Sequence, residues 1–324
     1  MKKLPILKFD PMFVPVVWGG RSLDHVLNKS LPPDKQIGES WEICDLDSHQ
    51  SVISDGELAG RTLESLVKEY HDELLGSASL LDGRFPLLFK FIDAHRTLSV
   101  QVHPDFDACR AIGQGARPKT EAWYIIDCIK DAFLYVGLKD GVKKEDFESA
   151  LKDGQVEALL NKKYVKPGDY VFLPSGTLHA IGDGIILAEV QQSSNTTYRV
   201  FDWNRMGFDG KPRELHVKQA LASIHFNEFE EPEITPPSSG RSGIKCDYFE
   251  METGMLSAGQ SIELASTGPV AVMFVKGEGV LKVKTGSSAK TASIGETLLI
   301  PASIAEQITI TATASLQCVV TKIP

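Results

Sequence analysis

Hydrophobic and polar residues alternate through residues 98–104, LSVQVHP, and this alternation predicts a β-strand with one apolar and one polar face. The apolar positions 98, 100 and 102 would point into a core. The polar positions, Ser99, Gln101 and His103, would line the opposite face at intervals of roughly 7 Å. A hydroxyl, an amide oxygen and an imidazole on one face suit the wall of a metal or substrate site. The alternative is a half-exposed strand whose polar side chains face water.

Short apolar runs predict further strands, at residues 85–92, 122–126, 170–173, 185–190 and 197–203. Lys90 is the one charged residue inside the first of these runs. Burying a lysine is costly unless it is paired or meets an anion. Lys90 therefore either belongs to an anion-binding or paired site, or reaches solvent at the edge of a strand.

Helical spacing of apolar residues interrupts the strands at three places and predicts helical insertions at 61–76, 143–161 and 213–224, the second broken at Gly154. We expect residues 1–54 to be irregular β structure. Residues 105–118, which contain glycines and charges, are expected to form a loop.

The composition of residues 226–240 changes to Glu, Pro and Ser without periodicity, which predicts a linker. It would separate a larger unit, 1–225, from an all-β module, 241–324, built of short strands and Gly/Ser turns.

Two segments, 168–174 and 295–301, share one pattern: a turn glycine, an acidic residue, four strand residues and a proline. The first continues to His179, whereas the second has Glu306 at the equivalent position, and no histidine follows His225. If these are two copies of one β unit, only the first can hold a metal through imidazole, and we expect the second to be structural.

Charge and cysteine usage limit the class of protein. The 324 residues carry a formal net charge of −9, which argues against binding to nucleic acid or to an anionic membrane. Five cysteines without a CxxC pair suit free thiols in a reducing cytosol. No run approaches the roughly 18 apolar residues of a membrane span, and no signal-peptide cleavage site follows the first residues. We expect a soluble cytoplasmic protein, either a monomer or a small homo-oligomer.

The first copy of the repeat matches the second motif of the cupin barrels, with glycine, proline, glycine and then His179 at the motif's spacing. Gln101 and His103, followed by Glu121, resemble the first cupin motif with glutamine in place of its first histidine. Two imidazoles, a carboxylate and an amide oxygen suit Zn²⁺, with Mn, Fe or Co as other candidates. Each of these residues taken alone is more often structural; their joint occurrence favours a metal site.

Four longer runs carry a more specific resemblance: FKFIDAHRTLSVQVHPD, GARPKTEAWYII, KPGDYVFLPSGTLHAIGDG and QQSSNTTYRVFDW. They resemble type I mannose-6-phosphate isomerase in its short bacterial form, over about residues 5–320, and the segments WGG and GESWEI agree. The resemblance implies a mainly β fold of cupin-type barrels, with a catalytic barrel, helical insertions and a degenerate cupin-like C-terminal module. It also implies a metal-dependent aldose–ketose isomerase acting on a small sugar phosphate.

The resemblance also implies roles for individual residues. The matching zinc ligands are Gln101, His103, Glu121 and His179. Lys90 and Ser99 match positions that hold the substrate phosphate. Lys119, Glu189 and Arg199 match polar residues of the active site. One departure is Ile181, where longer eukaryotic members have tyrosine.

Converting mannose 6-phosphate to fructose 6-phosphate moves a proton between C2 and C1 through a cis-enediol, so it needs a base and a cation near the developing enediolate. Glu189 and Lys119 are both candidates for the base, and Arg199 supplies fixed positive charge unless it serves a structural salt bridge. Two alternatives remain at this point: another metal-dependent cupin such as an oxygenase, and a non-catalytic sugar-phosphate-binding cupin. An oxygenase fits the Gln/Glu/His/His set less well, and a binding protein has no need of an acid–base set.

Overall fold

The computed structural model describes residues 4–113, 115–226, 234–235, 243–284 and 289–324. The strands up to residue 226 are β1 (Leu7–Lys8), β2 (Met12–Gly20), β3 (Ile37–Ile43), β4 (Asp45–Leu46), β5 (His49–Gln50), β6 (Leu87–Ala94), β7 (Val100–Val102), β8 (Glu121–Cys128), β9 (Phe133–Leu138), β10 (Leu160–Tyr164), β11 (Tyr170–Leu173), β12 (His179–Ile181), β13 (Ile185–Gln192) and β14 (Tyr198–Phe201).

The later strands are β15 (Ile234–Thr235), β16 (Gly243–Lys245), β17 (Glu250–Leu256), β18 (Ser261–Glu263), β19 (Val270–Lys276), β20 (Glu278–Val283), β21 (Ala289–Ser293), β22 (Thr297–Ile300), β23 (Ile308–Ala312) and β24 (Leu316–Lys322). The helices are α1 (Ser22–Leu27), α2 (Leu63–Glu69), α3 (His71–Leu75), α4 (Phe106–Ile112), α5 (Lys144–Asp153), α6 (Val217–Ser223) and α7 (Ala302–Ala305), with a 3₁₀ turn at Val156–Leu159. No helix among these residues is long and apolar enough to cross a membrane.

Two facing sheets form the first barrel. One has seven strands in the order β15-β11-β8-β13-β6-β3-β2, and the other has five in the order β10-β9-β12-β7-β14. Buried residues of both sheets, among them Trp123, Leu134, Ile181 and Leu187, pack in one cluster between them. The outer face of the five-stranded sheet is covered by α5 and α6 through side chains such as Phe147.

The far face of the seven-stranded sheet packs on the C-terminal module. Because side chains alternate along a strand, Phe89 and Phe91 of β6 join a cluster with Met251 and Val319, while Lys90 between them lies on the other face. Both faces of β6 are thus buried, and every residue of the strand is buried.

The C-terminal module is a second sandwich, with a six-stranded sheet in the order β1-β22-β19-β24-β17-β16 and a four-stranded sheet in the order β18-β23-β20-β21. Its interior is apolar, including Val272, Phe274, Ile310 and Val320. The N-terminal strand β1 pairs with β22, so the start of the chain completes the module's sheet.

The two repeat segments begin alike and then diverge. Gly168 and Gly295 both have positive φ, at 95° and 81°, a conformation that glycine adopts without strain. The strands β11 and β22 follow, each ended by its proline. After that point His179 is buried in β12, whereas Glu306 is exposed at the end of α7. The first copy alone brings a potential ligand into a barrel.

Several local predictions need correction. The helix predicted at 61–76 is two helices, α2 and α3, which meet at Tyr70, whose ψ of 37° is not helical. The predicted loop 105–118 contains α4, where Asp105 caps the helix by accepting a 2.7 Å hydrogen bond from the Ala108 amide. The predicted irregular β region 1–54 contains α1, and the predicted all-β module contains α7.

The helices predicted at 143–161 and 213–224 are confirmed as α5 with its 3₁₀ turn, broken at Gly154, and as α6. Within the predicted linker 226–240, residues 234–235 form β15 on the edge of the seven-stranded sheet. Residues 227–233 and 236–240 lie outside the described part of the chain.

Candidate active site

The four side chains predicted to bind a metal come together where the two sheets of the first barrel face each other. Gln101 on β7 and His179 on β12 are directly paired across neighbouring strands. His103 follows the end of β7, and Glu121 begins β8 on the facing sheet. Glu121, His103 and His179 are only 0%, 2% and 1% exposed. The polar face of β7 therefore does not face water.

The distances within this group are short. The candidate ligand atoms of His103, Glu121 and His179 all lie within 4.8 Å of one another. Nε2 of His103 is 3.5 Å from Oε2 of Glu121, and Nε2 of His179 is 3.3 Å from Oε1. The side-chain amide of Gln101 approaches Nε2 of His179 at 3.3 Å. Converging nitrogen and oxygen donors of this kind are typical of a catalytic metal site.

Backbone carbonyls fix the orientation of both imidazoles. Nδ1 of His103 donates to the Thr196 carbonyl at 2.9 Å, and Nδ1 of His179 donates to the Thr177 carbonyl at 2.9 Å. With the proton on Nδ1, each Nε2 presents a lone pair toward Glu121. Burial lowers the pKa of His179 to about 4, and burial and the charge of a nearby lysine lower the pKa of His103. Both rings are neutral at neutral pH.

Glu121 is a buried carboxylate whose oxygens accept no hydrogen bond of regular geometry from any described residue. Nζ of Lys119 lies 2.6 Å from its Oε2 and 3.0 Å from Nε2 of His103. Burial raises the pKa of Glu121, but the charge of Lys119 and the interactions with the two histidines lower it by more. The net pKa of Glu121 lies well below its usual range. A buried anion with unsatisfied oxygens beside two neutral imidazoles fits a divalent cation.

Lys90 is held between two carboxylates on the same face of the seven-stranded sheet. Its Nζ lies 3.0 Å from Oε2 of Glu189 and 3.3 Å from Oε2 of Glu39. The indole of Trp123 donates to Oε1 of Glu189 at 3.0 Å. Burial lowers the pKa of Lys90, but the two carboxylates raise it more, and the net shift is upward. Lys90 is a paired, buried cation, so the alternative that it reaches solvent at a strand edge is wrong.

Arg199 lies at another wall of the same space. Its Nε donates to Oγ of Ser99 at 3.2 Å, and its Nη1 donates to the Glu214 carbonyl at 2.9 Å. Burial and the neighbouring positive charge of Arg213 lower the pKa of Arg199. The structural salt bridge considered for Arg199 does not form, because Asp202 pairs with Arg205 and Arg213 instead.

These groups surround one cavity of about 310 Å³. Its lining includes six of the nine residues predicted for the site, namely Lys90, Ser99, Gln101, Lys119, Glu189 and Arg199. The other three, the metal-ligand candidates His103, Glu121 and His179, contact Lys119 or Gln101 directly. Ile181 also lines the cavity, so the position that departs from the family resemblance contributes an apolar side chain to the wall.

Sequence reasoning missed several polar residues of this site, among them Glu39, Trp123 and Arg213. Glu39 and Trp123 lie in the segments GESWEI and GARPKTEAWYII, which were noted only for their resemblance. Their proximity to Lys90 and Glu189 follows from strand order, which the sequence does not display.

Comparison with known proteins finds relatives that match most of the chain. A family model described as "Phosphomannose isomerase type I, catalytic domain" matches residues 6–122. The mannose-6-phosphate isomerase ManA of Bacillus subtilis is 35% identical over 312 residues, covering 93% of this chain and 94% of that protein. The probable mannose-6-phosphate isomerase GmuF of the same organism is 38% identical over 251 residues, covering 76% of this chain and 78% of that protein.

The chain belongs to the type I phosphomannose isomerase family. The crystal structure of the mannose 6-phosphate isomerase from Bacillus subtilis superposes on it with a TM-score of 0.87 at 30% identity, covering 99% of this chain and 100% of that one. The predicted mainly β, cupin-type fold is confirmed, as is the resemblance. Membership in the type I phosphomannose isomerase family favours an isomerase over the oxygenase and over the non-catalytic binding protein.

Proposed function

We propose that this chain interconverts mannose 6-phosphate and fructose 6-phosphate by moving one proton between C2 and C1 through a cis-enediol. Family membership supports the substrate pair. The observation that carries the proposal for this chain is that a buried carboxylate and an arginine–serine pair line one 310 Å³ cavity, and that a candidate metal cluster lies directly behind its wall, in contact with Lys119 and Gln101. A hexose phosphate needs a space of this order and all three kinds of group.

Gln101, His103, Glu121 and His179 would hold the metal, through two imidazole nitrogens, a carboxylate and an amide oxygen. Zn²⁺ is our proposal because it takes nitrogen and oxygen donors in four-coordinate sites, and Mn, Fe and Co are the alternatives. When bound, the ion supplies Lewis-acid stabilisation of the negative charge that develops on the sugar oxygens. Lys119, held between Glu121 and His103, would place a positive charge beside both ligands.

Glu189 is our candidate for the group that carries the proton. Both Glu189 and Lys119 line the cavity, but the ammonium group of Lys119 faces two candidate metal ligands, whereas the carboxylate of Glu189 faces Lys90 and Trp123. The carboxylate would accept the proton from C2 of mannose 6-phosphate and return it to C1, while the hydroxyl proton passes from O2 to O1, which leaves a keto group at C2 and a hydroxyl group at C1. The reverse transfer follows the same path with the two carbons exchanged. Holding the carboxylate and both carbons in one geometry supplies much of the acceleration.

Ser99 and Arg199 are our candidates for the phosphate group. Lys90 already faces two carboxylates, so its charge is balanced. Among the described residues, the guanidinium of Arg199 has only Ser99 and a backbone carbonyl as hydrogen-bond partners, and it lies near the like-charged Arg213. A phosphate dianion would relieve that repulsion and accept two donors from Arg199. In this assignment Lys90 contributes positive charge deeper in the cavity instead of contacting the phosphate.

Turnover in D₂O tests the proposal. The purified chain is supplied with mannose 6-phosphate, and the sugar product is identified by NMR. We expect fructose 6-phosphate with deuterium at C1, because a carboxyl-bound proton exchanges with solvent in part of the turnovers. Unphosphorylated mannose should react far more slowly. Equal rates with and without the phosphate group, or no fructose 6-phosphate, would contradict the proposal.

A further inference from the structure

A row of four residues crosses the seven-stranded sheet at one level, next to the cavity, and a fifth residue, Glu39, joins the row from two positions along its strand. Trp123 on β8 is paired with Glu189 on β13, Glu189 with Lys90 on β6, and Lys90 with Trp41 on β3. Glu39, two residues before Trp41, reaches the same lysine. Indoles thus stand at both ends of the row, and the lysine stands between two carboxylates.

The contacts in the row leave each carboxylate with two partners. Glu189 accepts from the Trp123 indole through Oε1 and meets Lys90 through Oε2, both at 3.0 Å. Glu39 accepts from the Trp41 indole at 2.6 Å and lies 3.3 Å from Lys90. Because the two oxygens of Glu189 are engaged by different partners, rotation of its carboxylate would break one contact or the other.

Because the residues of the row are buried, the loss of any of these contacts would be costly. Trp123, Trp41, Glu189 and Lys90 are 0%, 3%, 3% and 5% exposed, so water cannot replace a lost partner at low cost. Trp123 also packs edge-on against the ring of His179, at 5.5 Å between centroids. The indole therefore links the orientation of Glu189 to the wall that carries the metal-ligand candidates.

Glu39 acts on Glu189 through the shared lysine. While both carboxylates face Lys90, its charge is divided between them. If Glu39 lost its charge, Lys90 would be drawn to Glu189 alone, and a carboxylate in a tighter ion pair is a weaker proton acceptor.

We propose that Trp123 and Glu39 are positioning residues for Glu189: Trp123 fixes the direction of its carboxylate, and Glu39 keeps Lys90 from neutralising it. This inference rests on the proposed function, in which Glu189 carries the proton. Neither residue needs to touch the reacting carbons.

Two variants test the proposal. Trp123→Phe removes the indole N–H while keeping an aromatic ring, and Glu39→Gln removes a charge while keeping the shape of the side chain. We expect kcat to fall about tenfold to 100-fold in each, with KM changed by less than about threefold and bound metal unchanged, since misplacement of a catalytic group costs rate more than binding. A kcat within about twofold of the unsubstituted chain in both variants, or a loss of rate matched by a loss of metal, would overturn the proposal.

Glu42→Gln is the matched control. Glu42 lies on the same strand as Glu39, is more deeply buried, with 4% of its side chain exposed against 18% for Glu39, and forms a 2.6 Å pair with the buried Lys29, but it does not line the cavity. We expect Glu42→Gln to lower the melting temperature while leaving kcat within about twofold of the unsubstituted chain. A fall in kcat as large as that of Glu39→Gln would mean that any buried Lys–Glu pair has this effect, and would overturn a specific role for Glu39.

The indole N–H resonance of Trp123 tests the row without relying on turnover. In a ¹⁵N-labelled sample it is the resonance missing from Trp123→Phe. It should shift in Glu189→Gln and in Glu39→Gln and stay in place in Glu42→Gln. An unmoved resonance in Glu39→Gln would contradict coupling through Lys90. Failure of the unsubstituted chain to turn over would instead contradict the proposed function. An undiminished kcat in Glu189→Gln would overturn Glu189 as the proton carrier together with the positioning roles that depend on it, whereas a reduced kcat in Glu189→Gln with undiminished kcat in Trp123→Phe and Glu39→Gln would overturn the positioning roles alone.

Discussion

Nζ of Lys119 lies 2.6 Å from Oε2 of Glu121, so a lysine cation occupies the neighbourhood of a candidate metal ligand. The lysine compensates the carboxylate, and a divalent ion bound there would meet its repulsion. Lys119→Met should therefore bind Zn²⁺ at least as tightly as the unsubstituted chain, while its turnover falls by at least about tenfold because the ligands lose a fixed partner. Competition with a zinc-sensitive dye measures the affinity for Zn²⁺, and the isomerase assay measures turnover. Weaker zinc binding in Lys119→Met would contradict this role.

Removing one imidazole should remove the metal. His103→Ala deletes one of four donors, and we expect bound metal and turnover to be lost together. His95→Ala is the control, since His95 is exposed and does not line the cavity. Elemental analysis of both purified variants measures their bound metal. Equal loss of metal in the two variants would contradict a role for His103 as a metal ligand.

Arg199→Met should weaken recognition of the phosphate. Loss of a charge-assisted, bidentate donor corresponds to a rise in KM for mannose 6-phosphate of about tenfold or more. Competitive inhibition by inorganic phosphate should weaken in parallel. Arg61→Met is the control, because Arg61 pairs with Glu69 outside the cavity. An unchanged inhibition constant for phosphate in Arg199→Met would show that another cation binds the phosphate group.

The ion pairs of Asp202 should make stability depend on pH in acid. Burial raises the pKa of Asp202, but hydrogen bonds and charge from Arg213 and Arg205 lower it more, so its folded pKa lies below the usual value. A depressed folded pKa contributes stability that is present above the unfolded pKa, about 3.9, and is lost as the pH falls through the folded pKa. Asp202→Asn should cost roughly 2–3 kcal/mol at pH 7, and this difference should shrink below about pH 4. Thermal unfolding of both proteins between pH 7 and 3 tests this, and a constant difference would contradict it.

Much of the candidate site was predictable because its residues lie in short local patterns. The alternation of residues 98–103 placed Gln101 and His103 on one face, and the motif after Gly168 identified His179 as a further candidate ligand. Lys90 was conspicuous because a lysine in an apolar run needs a partner. In each case the local sequence contains the physical constraint.

The remaining features depend on contacts between distant parts of the chain. Glu39 meets Lys90 only because β3 lies beside β6, and β1 completes a sheet of strands some 290 residues later, at β22. Neither pairing leaves a periodic signal in the sequence. The missed helix α4 had a local signal, the capping residue Asp105, which the glycines and charges around it obscured.

The central claim is metal-dependent isomerisation, and elemental analysis combined with turnover tests it most directly. The purified chain is assayed for interconversion of mannose 6-phosphate and fructose 6-phosphate before chelation, after chelation, and after one equivalent of Zn²⁺ is restored. We expect about one metal ion per chain, loss of turnover with the metal, and recovery on restoration, as four donors around one point require. Full turnover in the metal-free chain, or no metal bound even after restoration, would contradict the account.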